Sequence, residues 1–405
     1  LLEILILRLV RDTAEQVASD RIAHPPGQRS DLAVPALIIH GHFYQPPRDN
    51  PWTEVVEREP SAHPYHDWNE RIDRECYRPN AFARIFDERR RIDRVVNNYA
   101  HVSFNFGPTL LSWMERADPV TYARILRADR LSVGSRGGHG NAIAQGYNHA
   151  ILPLCNPRDR RTQVRWGMAD FRHRFGREPE SLWLPETACN DATLATLIEE
   201  GLRYVILSPH QAARTRPLGA DGWRDVSDGR IDPGVPYRYY HRDGSGRSIT
   251  IFFSDAAIAR AIAFEGALGS SPGLVDRLVA AGGGAGGLVH VATDGESYGH
   301  HSGFGERCLA YTLEREAPAR GFRVTNYGEL LDHLAPAFEV EIKEGPGGEG
   351  TAWSCAHGVG RWIRACGCQA GGPPDWSQDW RGPLRAALDL LRDEAARQFE
   401  GQAGD

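Results

Sequence analysis

The chain has 405 residues, 41% of them hydrophobic and 25% charged, which is enough for one large core with a smaller unit appended. Its 47 basic and 53 acidic side chains leave a formal charge of −6 with both signs mixed along the sequence, excluding the broad basic face that nucleic acid requires. Seven cysteines, an odd number at this size, argue against a disulfide framework and for a reducing compartment, the cytoplasm.

Leu1–Val10 is apolar but short, and Glu3 and Arg8 interrupt it, so it is read neither as a signal nor as a membrane span. Residues 1–35 are expected to form an N-terminal extension. There is no initiator methionine, and a further C-terminal domain is expected to be missing.

From Ala36 onward, short apolar runs alternate with helical patterns. They fall at Ala36–His40, His101–Phe106, Leu131–Ser135, Ser181–Leu184, Arg203–Ser208, Ser248–Phe253 and Leu288–Thr293. Such alternation predicts an α/β fold with a parallel sheet covered by helices, and seven units favour closure into a barrel over an open doubly wound sheet. The barrel is placed at residues 36–335. A Gly-rich turn, Ala280–Gly287, precedes the last core strand, and Phe322–Thr325 is read as an irregular closing segment. Residues 336–405 are expected to form a helical subdomain that includes an amphipathic helix over Pro383–Phe399.

Side chains at the carboxyl ends of barrel strands converge on one pocket. Glu186 closes the fourth run and Asp294 the last, which suggests acid/base work on a sugar. The first strand ends in His40-Gly-His42-Phe-Tyr-Gln45, where one imidazole rather than two is expected to reach the pocket unless Gly41 bends the chain. The loop Gly134–His149 offers neutral donors and acceptors suited to sugar hydroxyls, His149 among them. The fifth strand adds His210, and the sixth adds Asp255, whose commoner fate is to cap a helix. Glu296 rivals Asp294 for the acid role. Trp183, just ahead of Glu186, is expected to offer an aromatic face to a pyranose ring or else to be core. Trp353 and Trp362, with Trp376 and Trp380, form either a sugar platform or the core of the helical unit.

Together these segments resemble glycoside hydrolase family 57, through His40–Pro46, Trp183–Glu186 and Asp294–Glu296. The resemblance spans roughly His40 to Arg385 and implies an incomplete (β/α)7 barrel of glycoside hydrolase/deacetylase type, retaining chemistry on α-glucan, Glu186 as nucleophile and Asp294 as general acid/base. His40, His42, Gln45, His149, Trp183, His210, Glu296, Trp353 and Trp362 would then bind substrate, with a cationic imidazole helping to keep Glu186 ionised. The segment Trp353–Cys368 looks like an amylase or mannosidase-like branch of the family. The family pattern is departed from at Phe43-Tyr44, inserted before Gln45, and at Gly140-Asn141, where a glutamate is usual.

The expected partner is an α-glucan or oligosaccharide, with no nucleic acid, no membrane and no cofactor. One alternative is a zinc-dependent mannosidase or polysaccharide deacetylase using His40, His42, Asp294, His300 and His301. The other is a carbohydrate-binding protein that has lost turnover. Cys355-x-His357 and Cys366-x-Cys368 could supply four metal ligands. Neither spacing matches the usual two-to-four-residue gap of structural zinc, so no metal is expected there.

Overall fold

The computed structural model describes residues 34–282, 287–368, 373 and 376–403. The expected N-terminal extension, residues 1–33 of it, and positions 283–286 of the Gly-rich turn lie outside the described residues.

Seven strands are the frame of the site: β1 (Ala36–Phe43), β2 (Ser103–Phe106), β3 (Ala144–Gln145), β4 (Leu182–Trp183), β5 (Tyr204–Leu207), β6 (Ser248–Phe253) and β7 (Leu288–Asp294). All run parallel. β1 pairs with β7 on one side and with β2 on the other. A bridge between Phe104 and Ala142 carries the order on to β3, which pairs with β4. A second bridge, Ser181 to Tyr204, leads to β5, and β5 pairs with β6. Between β6 and β7, Asp255 N–H donates to the carbonyl of His290 across 2.9 Å, with no ladder among the described residues. The order β7-β1-β2-β3-β4-β5-β6 thus follows the chain. Arg323–Val324 lies beside the start of β1, where the closing segment was expected.

Every residue of β1 is buried, as is usual for a parallel strand covered on both faces, and this gives Leu37, Ile38 and Ile39 their continuous apolar character. The helix Pro157–Phe175 lies so close on β3 that a Cβ at Gly167 would stand 1.9 Å from the Gln145 carbonyl oxygen. That close approach needs glycine and fixes the height of Gln145 at the rim.

One expected strand is overturned. Leu131–Ser135 is the last turn of the helix Pro119–Ser135, and the third strand comes later, at Ala144–Gln145. Leu131 is exposed, so its apolar run does not mark a core position. Phe338–Ile342, inside the segment expected to be helical, is a strand paired with Ala212–Pro217 and Tyr237–Tyr240, in the sheet that continues from β6. The helix Arg381–Ala403 follows. Among the described residues, no helix is long and apolar enough to cross a membrane.

Candidate functional site

The β1–β7 register sets His42 directly beside Asp294. Asp294 makes no capping hydrogen bond, although a short helical turn begins immediately after it. Its side chain is reachable by solvent, yet the surrounding walls displace enough water that desolvation, with the charge of Glu186 second, raises the carboxyl to about 6.

Glu186 stands just past β4 in the left-handed region, at φ 60°, and Thr187 follows at φ 49°. Two successive residues with side chains in this region cost on the order of 1–2 kcal/mol each, and surrounding bonds must hold them there. Trp353 N–H donates to the Glu186 carbonyl at 3.2 Å and to Thr187 Oγ1 at 3.1 Å, while Gln211 Nε2 donates to the Thr187 carbonyl at 2.8 Å. The Glu186 carboxylate accepts from Trp353 Nε1 at 3.1 Å and from Ser354 Oγ at 2.5 Å.

His40 and His42 both turn toward Trp183, stacking on it at 4.9 and 5.0 Å, and both reach Asn105. The expectation of one imidazole in the pocket is therefore corrected, because positions two apart on a pleated strand share a face without help from Gly41. The hydrogen bonds assign the tautomers. Asn105 Nδ2 also donates to Gln145 Oε1 at 2.8 Å, and its other N–H points to His42 Nδ1, 2.9 Å away. His42 is then protonated on Nε2, which donates to His149 Nε2 at 3.1 Å. His40 donates from Nε2 to Asn105 Oδ1 at 3.2 Å and accepts from Ser103 Oγ at 2.9 Å.

Burial pushes His40 down to about 3 and His149 to about 4. Burial, then the neighbouring His149 and His40, holds His42 well below the usual imidazole range. These three rings are neutral near neutral pH, so the expected cationic support for Glu186 is replaced by the neutral donors Trp353 and Ser354. His149, itself at φ 56°, stacks on Tyr44 at 3.8 Å.

On the far side of Asp294, the Glu296 carboxylate accepts from Tyr77 Oη at 2.6 Å and, more weakly, from Gln45 Nε2 at 3.4 Å. Desolvation raises Glu296 to about 7; the Tyr77 hydrogen bond opposes it and the charge of Asp294 adds to it. Gly295, between the two acids, has no room for a side chain: a Cβ would stand 2.2 Å from the Phe43 ring.

The structure thus gathers Glu186, Asp294, Glu296, His40, His42, Gln45, His149 and Trp353. Trp183 is only 1% exposed and packs edge-on to Trp353 at 5.3 Å, so it props the histidines and offers no face to a sugar. Trp362 is half-buried against Ala188, Ala352 and Val359. His210 is exposed at the end of β5, against Gly229. Of the loop Gly134–His149, His139 bonds to Glu180 and Asp332, away from the rim, and Asp255 caps a helix. His300 pairs with Glu75, and among the described residues no three of His40, His42, Asp294, His300 and His301 bring ligand atoms together as a metal site.

Tyr77, Ser354 and Asn105 went unseen in the sequence. Tyr77 ends a wide helical turn, Asp73–Tyr77, and carries no strand-end signal. Asn105, alone between Phe104 and Phe106, was legible as a polar residue inside an apolar strand.

Residues 36–342 match glycosyl hydrolase family 57, and residues 376–405 match a domain of unknown function, DUF3536. An alpha-amylase of Pyrococcus abyssi is 24% identical over 164 residues, covering 40% of this chain and 22% of its own length. Among solved structures, an exo-type maltose-forming amylase from Pyrococcus sp. ST04 shares 16% identity and a TM-score of 0.62, covering 88% of this chain and 61% of its own. A GH57-type branching enzyme from Pyrococcus horikoshii shares 16% identity and a TM-score of 0.54, with 81% and 74% covered. The chain spans less than two thirds of the length of the first two of these. With its family match running through every strand of the frame and both strand-end acids, the chain belongs to glycosyl hydrolase family 57.

Proposed function

We propose that the protein cleaves or transfers α-glucan chains by double displacement, with Glu186 as nucleophile and Asp294 as general acid and base. One observation carries this reading: Glu186 is held by two donors in a strained turn and lies near enough to Asp294 that its charge raises the Asp294 proton affinity.

Glu186 attacks the anomeric carbon as the protonated Asp294 gives its proton to the departing glycosidic oxygen, leaving a glycosyl ester on Glu186. Esterification removes the Glu186 charge, so Asp294 then holds its proton less tightly and serves as base toward water or a sugar hydroxyl. Trp353 and Ser354 hold one carboxylate oxygen of Glu186 and leave the other for attack. The neutral His42–His149 pair, with Gln45 and Glu296, supplies hydrogen-bonding groups for sugar hydroxyls. The fit to α-glucan rests on the names of the relatives, an alpha-amylase and a maltose-forming amylase.

The test is incubation with amylose, glycogen and malto-oligosaccharides, following chain length and product anomer. Retention of configuration and loss of activity on the order of 10³-fold or more in Glu186→Gln, with folding intact, are expected. Inversion, or wild-type turnover by that variant, overturns the assignment.

A further inference from the structure

We propose that Cys355, His357, Cys366 and Cys368 form a structural zinc site that clamps the segment carrying Trp353 and Ser354 against Glu186. Their spacing argued against a metal, but the folded geometry points the other way. One ligand atom from each residue lies within 4.8 Å of all the others.

Three of the six ligand-to-ligand distances match the edges of a tetrahedron. With zinc–sulfur bonds of about 2.3 Å, two thiolates on a tetrahedral zinc stand about 3.8 Å apart. Cys355 Sγ lies 3.9 Å from Cys366 Sγ and 3.8 Å from Cys368 Sγ. His357 Nδ1 lies 3.3 Å from Cys368 Sγ, near the edge of about 3.5 Å expected for one nitrogen and one sulfur ligand. A disulfide would bring two sulfurs to about 2.05 Å, and three cysteines cannot all pair with one another.

The close spacing works because of the glycines. Gly367, at φ 84°, turns the chain between Cys366 and Cys368 so that both sulfurs face the same point, a conformation that a side chain at 367 would resist. Gly358, at φ 76°, reverses the chain just after His357. Three thiolates and a neutral imidazole around Zn²⁺ carry a net charge of −1. Arg364 lies close enough for charges on Cys366 and Cys355 to act on it, which offsets part of that charge.

The site is one residue from the catalytic contacts. Cys355 follows Ser354 and bridges back to Ala352, while Thr351 pairs with Cys189 beyond Glu186. A zinc ion on Cys355 would fix the short segment whose indole and hydroxyl hold the Glu186 carboxylate. Metal binding itself does not depend on the role of Glu186, so the two readings fail separately.

The test is metal analysis of the protein purified under reducing conditions with zinc supplied. About one zinc per chain is expected. Replacement by cobalt should give the thiolate charge-transfer and intense visible bands of a tetrahedral site. Cys366→Ser combined with Cys368→Ser should lose the metal and lower the melting temperature, whereas Cys308→Ser should keep it. If the double variant fails to fold, mercurial titration of the wild type keeps the question open to measurement, with zinc released as three thiols are modified. Wild-type protein that holds no metal, or that carries an iron–thiolate chromophore or a disulfide among these cysteines, overturns the assignment.

Discussion

The indole N–H of Trp353 donates to the carboxylate of Glu186 across 3.1 Å, tying two residues 167 positions apart in the chain. The bond crosses from the segment after the last sheet strand to the rim of the barrel frame. It makes the C-terminal part of the chain a participant in the proposed chemistry. A charge-assisted hydrogen bond of this kind contributes about 1.5–3 kcal/mol. Trp353→Phe keeps the aromatic contact with Trp183 and removes only the donor. We expect kcat/KM on a malto-oligosaccharide to fall about tenfold to a hundredfold, with the melting temperature nearly unchanged. An unaltered rate would show that the indole merely packs.

The pH dependence should report Asp294. Its carboxyl is raised to about 6, first by desolvation and then by the charge of Glu186, so the proton-donating form is lost as pH rises through that value. We expect kcat/KM to fall above about pH 6, tenfold per unit, on substrates with poor leaving groups. Asp294→Asn should abolish this limb and spare substrates whose leaving group needs no proton. A basic limb that survives in Asp294→Asn assigns the acid role elsewhere, with Glu296 first in line.

Glu296 offers a test through stability. Its folded-state value of about 7 lies above its ordinary 4.5, so the folded protein binds this proton more tightly than the unfolded chain. The resulting stabilisation is fully present below about pH 4.5 and is lost as pH rises through about 7. Glu296→Gln keeps an acceptor for Tyr77 and removes the buried charge. It should raise stability by about 2 kcal/mol at pH 8, several degrees in melting temperature, and change it little at pH 5. Equal shifts at both pH values would mean that the carboxyl carries no unusual proton.

What was legible in the sequence follows from the length of each signal. β1, β6 and β7 each bury five or more consecutive residues, and such runs read as buried parallel strands. β3 has only Ala144 and Gln145, too short for any periodicity, while the apolar end of the helix Pro119–Ser135 imitated a strand. Glu186 and Asp294 were found because strand ends are readable. Tyr77 and Ser354 were not, because each reaches its acid from a part of the chain whose approach only tertiary packing determines. The cysteine cluster shows the same limit: the spacing hides how the turns at Gly358 and Gly367 bring the four side chains together.

The separation of the two acids at the end of β7 depends on Gly295. Residues 294 and 296 point to different surroundings, Asp294 toward the field of Glu186 and Glu296 toward Tyr77 and Gln45, and the backbone between them lies flat against the Phe43 ring. A methyl group there would meet three ring atoms of Phe43, itself packed among Tyr77, Tyr99 and Phe106, so neither side can give way easily. Overpacking at such a site costs about 1–3 kcal/mol. Gly295→Ala should therefore lower the melting temperature and reduce kcat more than tenfold, since shifting an acid by about 1 Å costs on the order of a hundredfold. Gly303→Ala, where a Cβ meets no heavy atom within 4 Å, is the control and should alter neither. Should Gly295→Ala retain both stability and turnover, Phe43 must be able to move, and the fixed spacing of the two acids would lose its structural basis.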